Sequence, residues 1–442
     1  MFTELLRVPI VTPQVLVPVD VLAALLTLWT LLGRRRGLVL RVVAVVVGAA
    51  VGLLAVWWFG DVRDEFGVAF TPVTRMWVAL AFAGIALALV VLVQGGLNGR
   101  AWGRRVLAVT AMATMVLAAG LGVNVDFGAY RTIDQAITTN PYPDGTLGHQ
   151  HAAAPGATVV DAATWTAPAG MPREGKAMSF RIPGTVSHFH ARKAVVWFPP
   201  AALTKDPPTL PVLVTFSGQP GQPSDMFQAG GMGRYLDAYA AAHKGLAPIV
   251  VAPDQLGAPN RNPMCLDSRQ LGRSATYVMT DTVHWIEKHL DVASGPSAWG
   301  VDGFSEGATC AMQFSAEHPG VFGSALAISS EIAPFTGSAQ HSAQVAFHGD
   351  RAAYAAAAPI AIMHRNAPYH DHLTVFGFGQ DDAPYRATTA RLRTAAEQAG
   401  MQTDVLVSPG SAHDWNTVRY VLAHGLQLVI AHLGLPAQDG AL

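Results

Sequence analysis

Within residues 1–123, four runs are apolar enough to prefer lipid to water: Val15–Leu32, Val42–Phe59, Met76–Val93 and Val106–Val123. The last three contain no charged residue, and each is near the lower limit of the roughly 17–25 residues of a spanning helix. One such run could be a buried core helix. Four in succession, joined by short polar loops, point to a transmembrane domain of four helices. The first run holds Pro18 and Asp20 near its start. It is expected to span rather than to be a cleaved signal, because no basic segment precedes it and three more spans follow. Asp20 is expected at the interface, in contact with water. Overall the 442 residues are 51% hydrophobic and 13% charged. A soluble globular domain carries about 25% charged residues, so the apolar excess belongs to the spans.

Charges between the spans set an orientation. Arg34, Arg35, Arg36 and Arg41 fall between the first and second spans, and Arg100, Arg104 and Arg105 between the third and fourth. The middle loop carries a nearly balanced set: Asp61, Arg63, Asp64, Glu65 and Arg75. Arginine-rich loops are retained in the cytoplasm, so the N-terminus and everything beyond Val123 are expected outside it. Trp57, Trp58 and Trp77 would then mark the outer interface, where amphipathic rings concentrate.

Residues 124–176 are rich in Gly, Ala, Pro and Thr without a sustained period, and read as an extracytoplasmic linker. His149 and His151 have no third ligand nearby and are expected to be solvated loop residues, not a metal site. Over residues 177–442 short apolar runs alternate with amphipathic stretches. The runs are AVVWF (194–198), PVLVTF (211–216), PIVVAP (248–253), AWGVDG (298–303), SALAIS (324–329), LTVFGF (373–378) and TDVLVS (403–408). Helices are expected between most of them, as at Thr280–Leu290, Gly307–His318 and Tyr385–Gln398, the last ended by Gly400. This alternation builds a mostly parallel sheet with helices on both faces.

Gly303-Phe304-Ser305-Glu306-Gly307 carries the Gly-x-Ser-x-Gly spacing of a nucleophile elbow, directly after a strand and directly before a helix. Such a turn lifts a serine hydroxyl above the sheet edge, and the glycines leave room for close backbone approach. A serine nucleophile needs a base, and the base an orienting carboxylate. In the chain order Ser, acid, His, the run GQDDAPY supplies Asp381 and Asp382 after one strand, and PGSAHDW supplies His413 after the next. Counting from Gly379 favours Asp382, with Asp381 as the alternative. Asp414, adjacent to His413, is poorly placed to orient it. An oxyanion hole would join the Glu306 N–H to one from Gly218 or Gln219, after the strand 211–216. The Glu306 side chain is read as packed rather than as a selector for an amine-bearing substrate.

Several classes are excluded. A formal net charge of −1, no basic stripe and no Gly-Lys phosphate loop argue against nucleic acid and nucleotide. Two cysteines, Cys265 and Cys310, are too few for a Cys-based zinc site. No cofactor and no protein partner are implied.

The segments RIPGTVSHFHARKAVVWFPPAAL, LPVLVTFSGQPGQPSDMF, CLDSRQLGRSATYVMTDTVHWI, GFSEGATCAMQFSAEHP and SAHDWNTVRYVLAHGL together resemble the esterase family of α/β-hydrolases that includes esterase D, enterochelin esterases and the mycolyltransferases. The likeness is strongest to membrane-anchored actinobacterial members and covers about Ser179 to Gly434. It implies an α/β-hydrolase domain with a triad of Ser305, Asp382 (or Asp381) and His413. It also suggests that Cys265 and Cys310 are joined, which agrees with an extracytoplasmic domain, where disulfides persist. Ala308 stands where a second glycine is common after the elbow. The expected function is an extracytoplasmic serine esterase acting on an acylated lipid or envelope component. An acyltransferase on the same triad is the alternative, and a non-catalytic envelope module the third reading.

Overall fold

The computed structural model describes residues 6, 8–33, 37–63, 70–94, 102–137, 140–438 and 440. Arg34, Arg35, Arg36, Asp64, Glu65 and Arg100 lie outside the described residues. Residues 1–138 with 412–414 form one compact unit, and residues 139–411 with 415–442 form a second.

The first unit contains four helices long and apolar enough to cross a membrane: α1 (Pro13–Leu32), α2 (Leu38–Val56, extended by a π-helical turn over Trp57–Val62), α3 (Pro72–Gln94) and α4 (Trp102–Phe127). Each expected span lies within one of them, and the helices run further at both ends of most spans. Arg41, Arg104 and Arg105 are therefore not loop residues. Arg41 lies in the first turn of α2 and is buried, where its Nη1 donates to the Thr30 and Leu31 carbonyls at 2.9 and 2.7 Å. Those carbonyls have no intrahelical partner at the end of α1, so the arginine satisfies them. Gly48 and Gly52, one turn apart on α2, face α3, and a methyl on Gly48 would stand 2.6 Å from the Phe82 carbonyl. Small residues at this spacing let helix backbones approach closely in lipid. Trp57 and Trp58 are exposed, as an interfacial pair would be. Trp77 is instead packed against Ala23, Met115 and Ala118, because Gly122 leaves a space that its ring fills.

The second unit is built on an eight-stranded sheet. Its strands are β1 (Lys176–Phe180), β2 (Ala194–Phe198), β3 (Val212–Phe216), β4 (Ile249–Ala252), β5 (Trp299–Phe304), β6 (Ser324–Ile328), β7 (Leu373–Gly379) and β8 (Gln402–Ser408). Their order is β1-β2-β4-β3-β5-β6-β7-β8. All pairings from β4 to β8 are parallel, while β2 is antiparallel to both of its neighbours. Every residue of β2 through β6 is buried. Successive side chains point to opposite faces, so both faces of the inner sheet are covered. The covering helices include α5 (Met232–Ala242), α6 (Glu306–Glu317), α7 (Pro359–Asn366), α8 (Ala383–Gln398) and α9 (Trp415–His432). α6 packs on β3, β5 and β6, and α9 on β6, β7 and β8.

β1 has no counterpart among the apolar runs, because Lys176 and Ser179 break its pattern. Residues 140–175 are irregular, yet they are packed rather than free. Tyr142, Val160 and Trp165 lie against the core, Val160 N–H donates to the Thr209 carbonyl at 3.0 Å, and Gln150 Nε2 donates to the Ala202 carbonyl at 2.8 Å. His149 and His151 are exposed, and His151 faces Asp291 across 3.4 Å.

Cys265 and Cys310 form a disulfide, with Cα atoms 5.5 Å apart and a sequence separation of 45. It ties the loop after β4 to α6. Closing a loop of this length restricts the unfolded chain. Replacing both cysteines by alanine should cost about 2–5 kcal/mol, read as a lower urea midpoint for the full chain in detergent. Reductant should produce a similar drop in the parent protein and none in the variant.

Candidate active site

Because β3, β4, β5, β7 and β8 are parallel, their C-terminal ends open on one edge of the sheet, and every sequence-derived site segment leaves from that edge. Ser305 stands between β5 and α6 with φ 59° and ψ −120°, a conformation rarely open to a side chain-bearing residue. Its N–H donates to the Ile328 carbonyl of neighbouring β6 at 2.9 Å, and its carbonyl accepts from Thr309 N–H at 3.1 Å. The elbow glycines are sterically required. A methyl on Gly303 would lie 2.3 Å from the Gly307 carbonyl, and one on Gly307 would lie 2.4 Å from the Ser217 carbonyl.

Asp381 and Asp382 part company at the end of β7. Asp382 is fully buried at the N-terminus of α8, whereas Asp381 is exposed. Asp381 N–H donates to the Ser411 carbonyl at 2.9 Å, and Gln380 N–H to the Ser408 carbonyl at 2.9 Å. The turn after β8 is thereby held beside the turn after β7. His413 follows Ser411 by two residues and is buried.

The backbone donors proposed for an oxyanion hole lie on the turns after β3 and β5. Gly218 packs beside Ser305, with only 3.3 Å between its ideal Cβ position and the serine Cβ. Among the described residues, the N–H groups of Gly218, Gln219 and Glu306 donate to no protein acceptor. The Glu306 donor is one of the unsatisfied groups that every helix leaves in its first turn.

The Glu306 side chain turns inward and is 3% exposed. Its Oε1 lies 3.1 Å from Cys310 Sγ and 3.7 Å from Cys265 Sγ, and its Oε2 accepts from Gln255 Nε2 at 3.2 Å. Glu306, Cys265 and Cys310 are metal-ligand types in close proximity. Both sulfurs are consumed by the disulfide, however, and a disulfide sulfur is no thiolate ligand. Burial pushes the Glu306 carboxyl up to about 8, with the Gln255 hydrogen bond opposing and the Asp254 charge adding to the rise. Glu331, bonded to Thr309, is also pushed up to about 8 by burial and by the nearby Glu306 charge. Beneath the elbow, Asp302 is buried against the Thr215 hydroxyl, and burial pushes it up to about 7.

Sequence reasoning missed Gln255 and Glu331. Gln255 carried one usable signal: it follows a strand whose C-terminal end shares the edge with the elbow.

Residues 190–424 match the family model described as "Putative esterase". The chain belongs to this esterase family. Over 280 residues it is also 31% identical to an uncharacterized protein of Corynebacterium glutamicum, covering 61% of this chain and 65% of that protein. The chain thus spans just under two-thirds of that relative's length. Similar solved structures include a ferulic acid esterase, at 17% identity and TM-score 0.49, covering 59% of this chain and 98% of that one. An S-formylglutathione hydrolase from Agrobacterium tumefaciens is similar at 18% identity and TM-score 0.47, covering 59% and 95%.

The buried Glu306 carboxyl makes folding sensitive to pH. It titrates near 4.5 in an unfolded chain and near 8 when folded, so the folded state holds its proton more tightly. Its stabilising contribution is complete below about 4.5 and is lost as the pH rises through about 8. The urea midpoint of the full chain should therefore be lower at about pH 9 than at about pH 6, and Glu306→Gln should shrink the difference. An unchanged difference in that variant would assign the effect to other groups.

Proposed function

We propose that this chain is a membrane-anchored serine esterase with Ser305 as nucleophile, His413 as general base and Asp382 as the acid that orients the histidine. The observation that carries this reading is the strained Ser305 backbone at the C-terminal edge of the sheet, where the turn after β7 also carries the buried Asp382; His413 follows β8 in the chain. The burial of Asp382 and exposure of Asp381 favour Asp382 as the acid.

In this scheme His413 takes the Ser305 proton while Oγ bonds to the ester carbonyl carbon, and the carbonyl π electrons move onto oxygen. The Glu306 N–H, with that of Gly218 or Gln219, stabilises the oxyanion. Collapse restores the carbonyl and breaks the bond to the alcohol, which leaves with the proton from His413. Water then attacks the acyl-enzyme by the same route and releases the acid.

An extracytoplasmic placement of the esterase domain is supported by the arginines in and flanking the α1–α2 and α3–α4 connections, some of them in the first turns of α2 and α4, and by the disulfide. An anchor of four helices favours an acyl ester of a lipid or another envelope component as substrate.

A fluorophosphonate probe should label the wild-type chain in membranes and leave Ser305→Ala unlabelled. Ser305→Ala and His413→Ala should each lower hydrolysis of 4-nitrophenyl butyrate by roughly 10³-fold or more. Asp382→Asn should lose about 10³–10⁴-fold, and Asp381→Asn less than about threefold. Folded wild type that neither labels nor hydrolyses would sink the reading. Added trehalose or glycerol that accepts the acyl group in place of water would assign the protein to acyl transfer. Protease added outside intact cells should cleave the esterase domain; full protection would place it in the cytoplasm.

A further inference from the structure

Gln255 connects the turns that carry the two proposed oxyanion donors. Its side chain is fully buried, and Nε2 donates to the Ser217 carbonyl at 2.7 Å and to Glu306 Oε2 at 3.2 Å. Ser217 immediately precedes Gly218 and Gln219, while Glu306 holds the other donor on its own backbone. One amide group therefore bridges the β3 turn to the first residue of α6.

The bridge is itself anchored. Ser274 Oγ donates to the Gln255 carbonyl at 2.6 Å. The preceding residue, Asp254, is gripped by Arg192, with Nε at 2.9 Å, Nη2 at 2.6 Å and the backbone N–H at 2.6 Å. Asp254 also accepts from the N–H groups of Leu256 and Gly257. A side chain locked at its root in this way transmits the position of β4 to whatever its tip touches.

We propose that Gln255 is a positioning residue for ester hydrolysis. It sets the separation of the two oxyanion donors by clamping Ser217 and Glu306 to the end of β4. This rests on the serine-esterase reading above. A simple packing role is chemically less apt, since the site buries an amide whose Oε1 has no partner among the described residues. An apolar side chain of that shape would avoid this cost.

The test uses the full chain in detergent micelles, with 4-nitrophenyl butyrate as substrate and an alkyl trifluoromethyl ketone as a tetrahedral-adduct inhibitor. Gln255→Met keeps the shape and removes both hydrogen bonds. Loss of one oxyanion donor outright costs about 10²–10³-fold in kcat, so misplacing the pair should lower kcat by about 10–100-fold. KM should stay within about threefold, and ketone affinity should fall in step with kcat. Glu306→Leu removes one arm of the clamp and should lose less than Gln255→Met. The double variant should be no worse than Gln255→Met alone, because both changes break the same link.

The proposal is overturned if Gln255→Met retains kcat within about twofold of wild type, or if kcat falls while ketone affinity does not. Should Gln255→Met fail to fold, Glu306→Leu decides: unchanged kcat and ketone affinity overturn the proposal, and a joint loss supports it. Failure of the underlying reading is separate, because wild type would then neither hydrolyse the ester nor bind the ketone.

Discussion

The site depends on a backbone that Ser305 would not adopt alone. A non-glycine residue at φ 59° and ψ −120° carries strain of order 1–3 kcal/mol, which the surroundings must over-determine. Here β5 delivers the chain to the turn, the Ile328 carbonyl fixes Ser305 N–H, and α6 begins at the next residue. Gly307 then allows the turn to press against the Ser217 carbonyl without collision, and Gly303 allows it to close on Gly307. Rigidity at the elbow and proximity of the β3 turn are thus one packing event.

Around that turn the protein gathers carboxyls that burial drives toward the neutral form. Glu306, Glu331 and Asp302 are all shifted upward. A neutral Glu306 places no full negative charge behind its own N–H, where negative charge is proposed to develop in the reaction. The disulfide lies against the same carboxyl and joins α6 to the loop that Gln255 leads into. Elbow, disulfide and amide clamp therefore share one buried neighbourhood.

Much of this was legible along the chain. The seven apolar runs lie on seven strands of the sheet; the inner strands are buried on both faces and so continuously apolar, while the edge strand β8 is partly exposed along its length. β1 escaped because Lys176 and Ser179 give it a mixed pattern. The four membrane helices were visible as apolar runs, but their ends were not. Arg41 reads as a loop charge, yet it sits inside α2, since capping the end of α1 satisfies its guanidinium. Residues 140–175 have no period and so resemble a linker; their side chains nevertheless pack on the core, which composition alone does not reveal.

The sequence by itself determined the two-part architecture, the elbow and the order of its candidate partners. Periodicity and motif spacing are local properties of the chain. Only the tertiary structure decided that Asp382 is buried where Asp381 is exposed, and that Trp77 packs between helices. It alone revealed that Gln255, 50 residues ahead of Ser305 in the numbering, reaches Ser217 and Glu306 together. The strand order β4-β3-β5 makes those turns neighbours, and spatial adjacency across a sheet leaves no mark on the local sequence pattern.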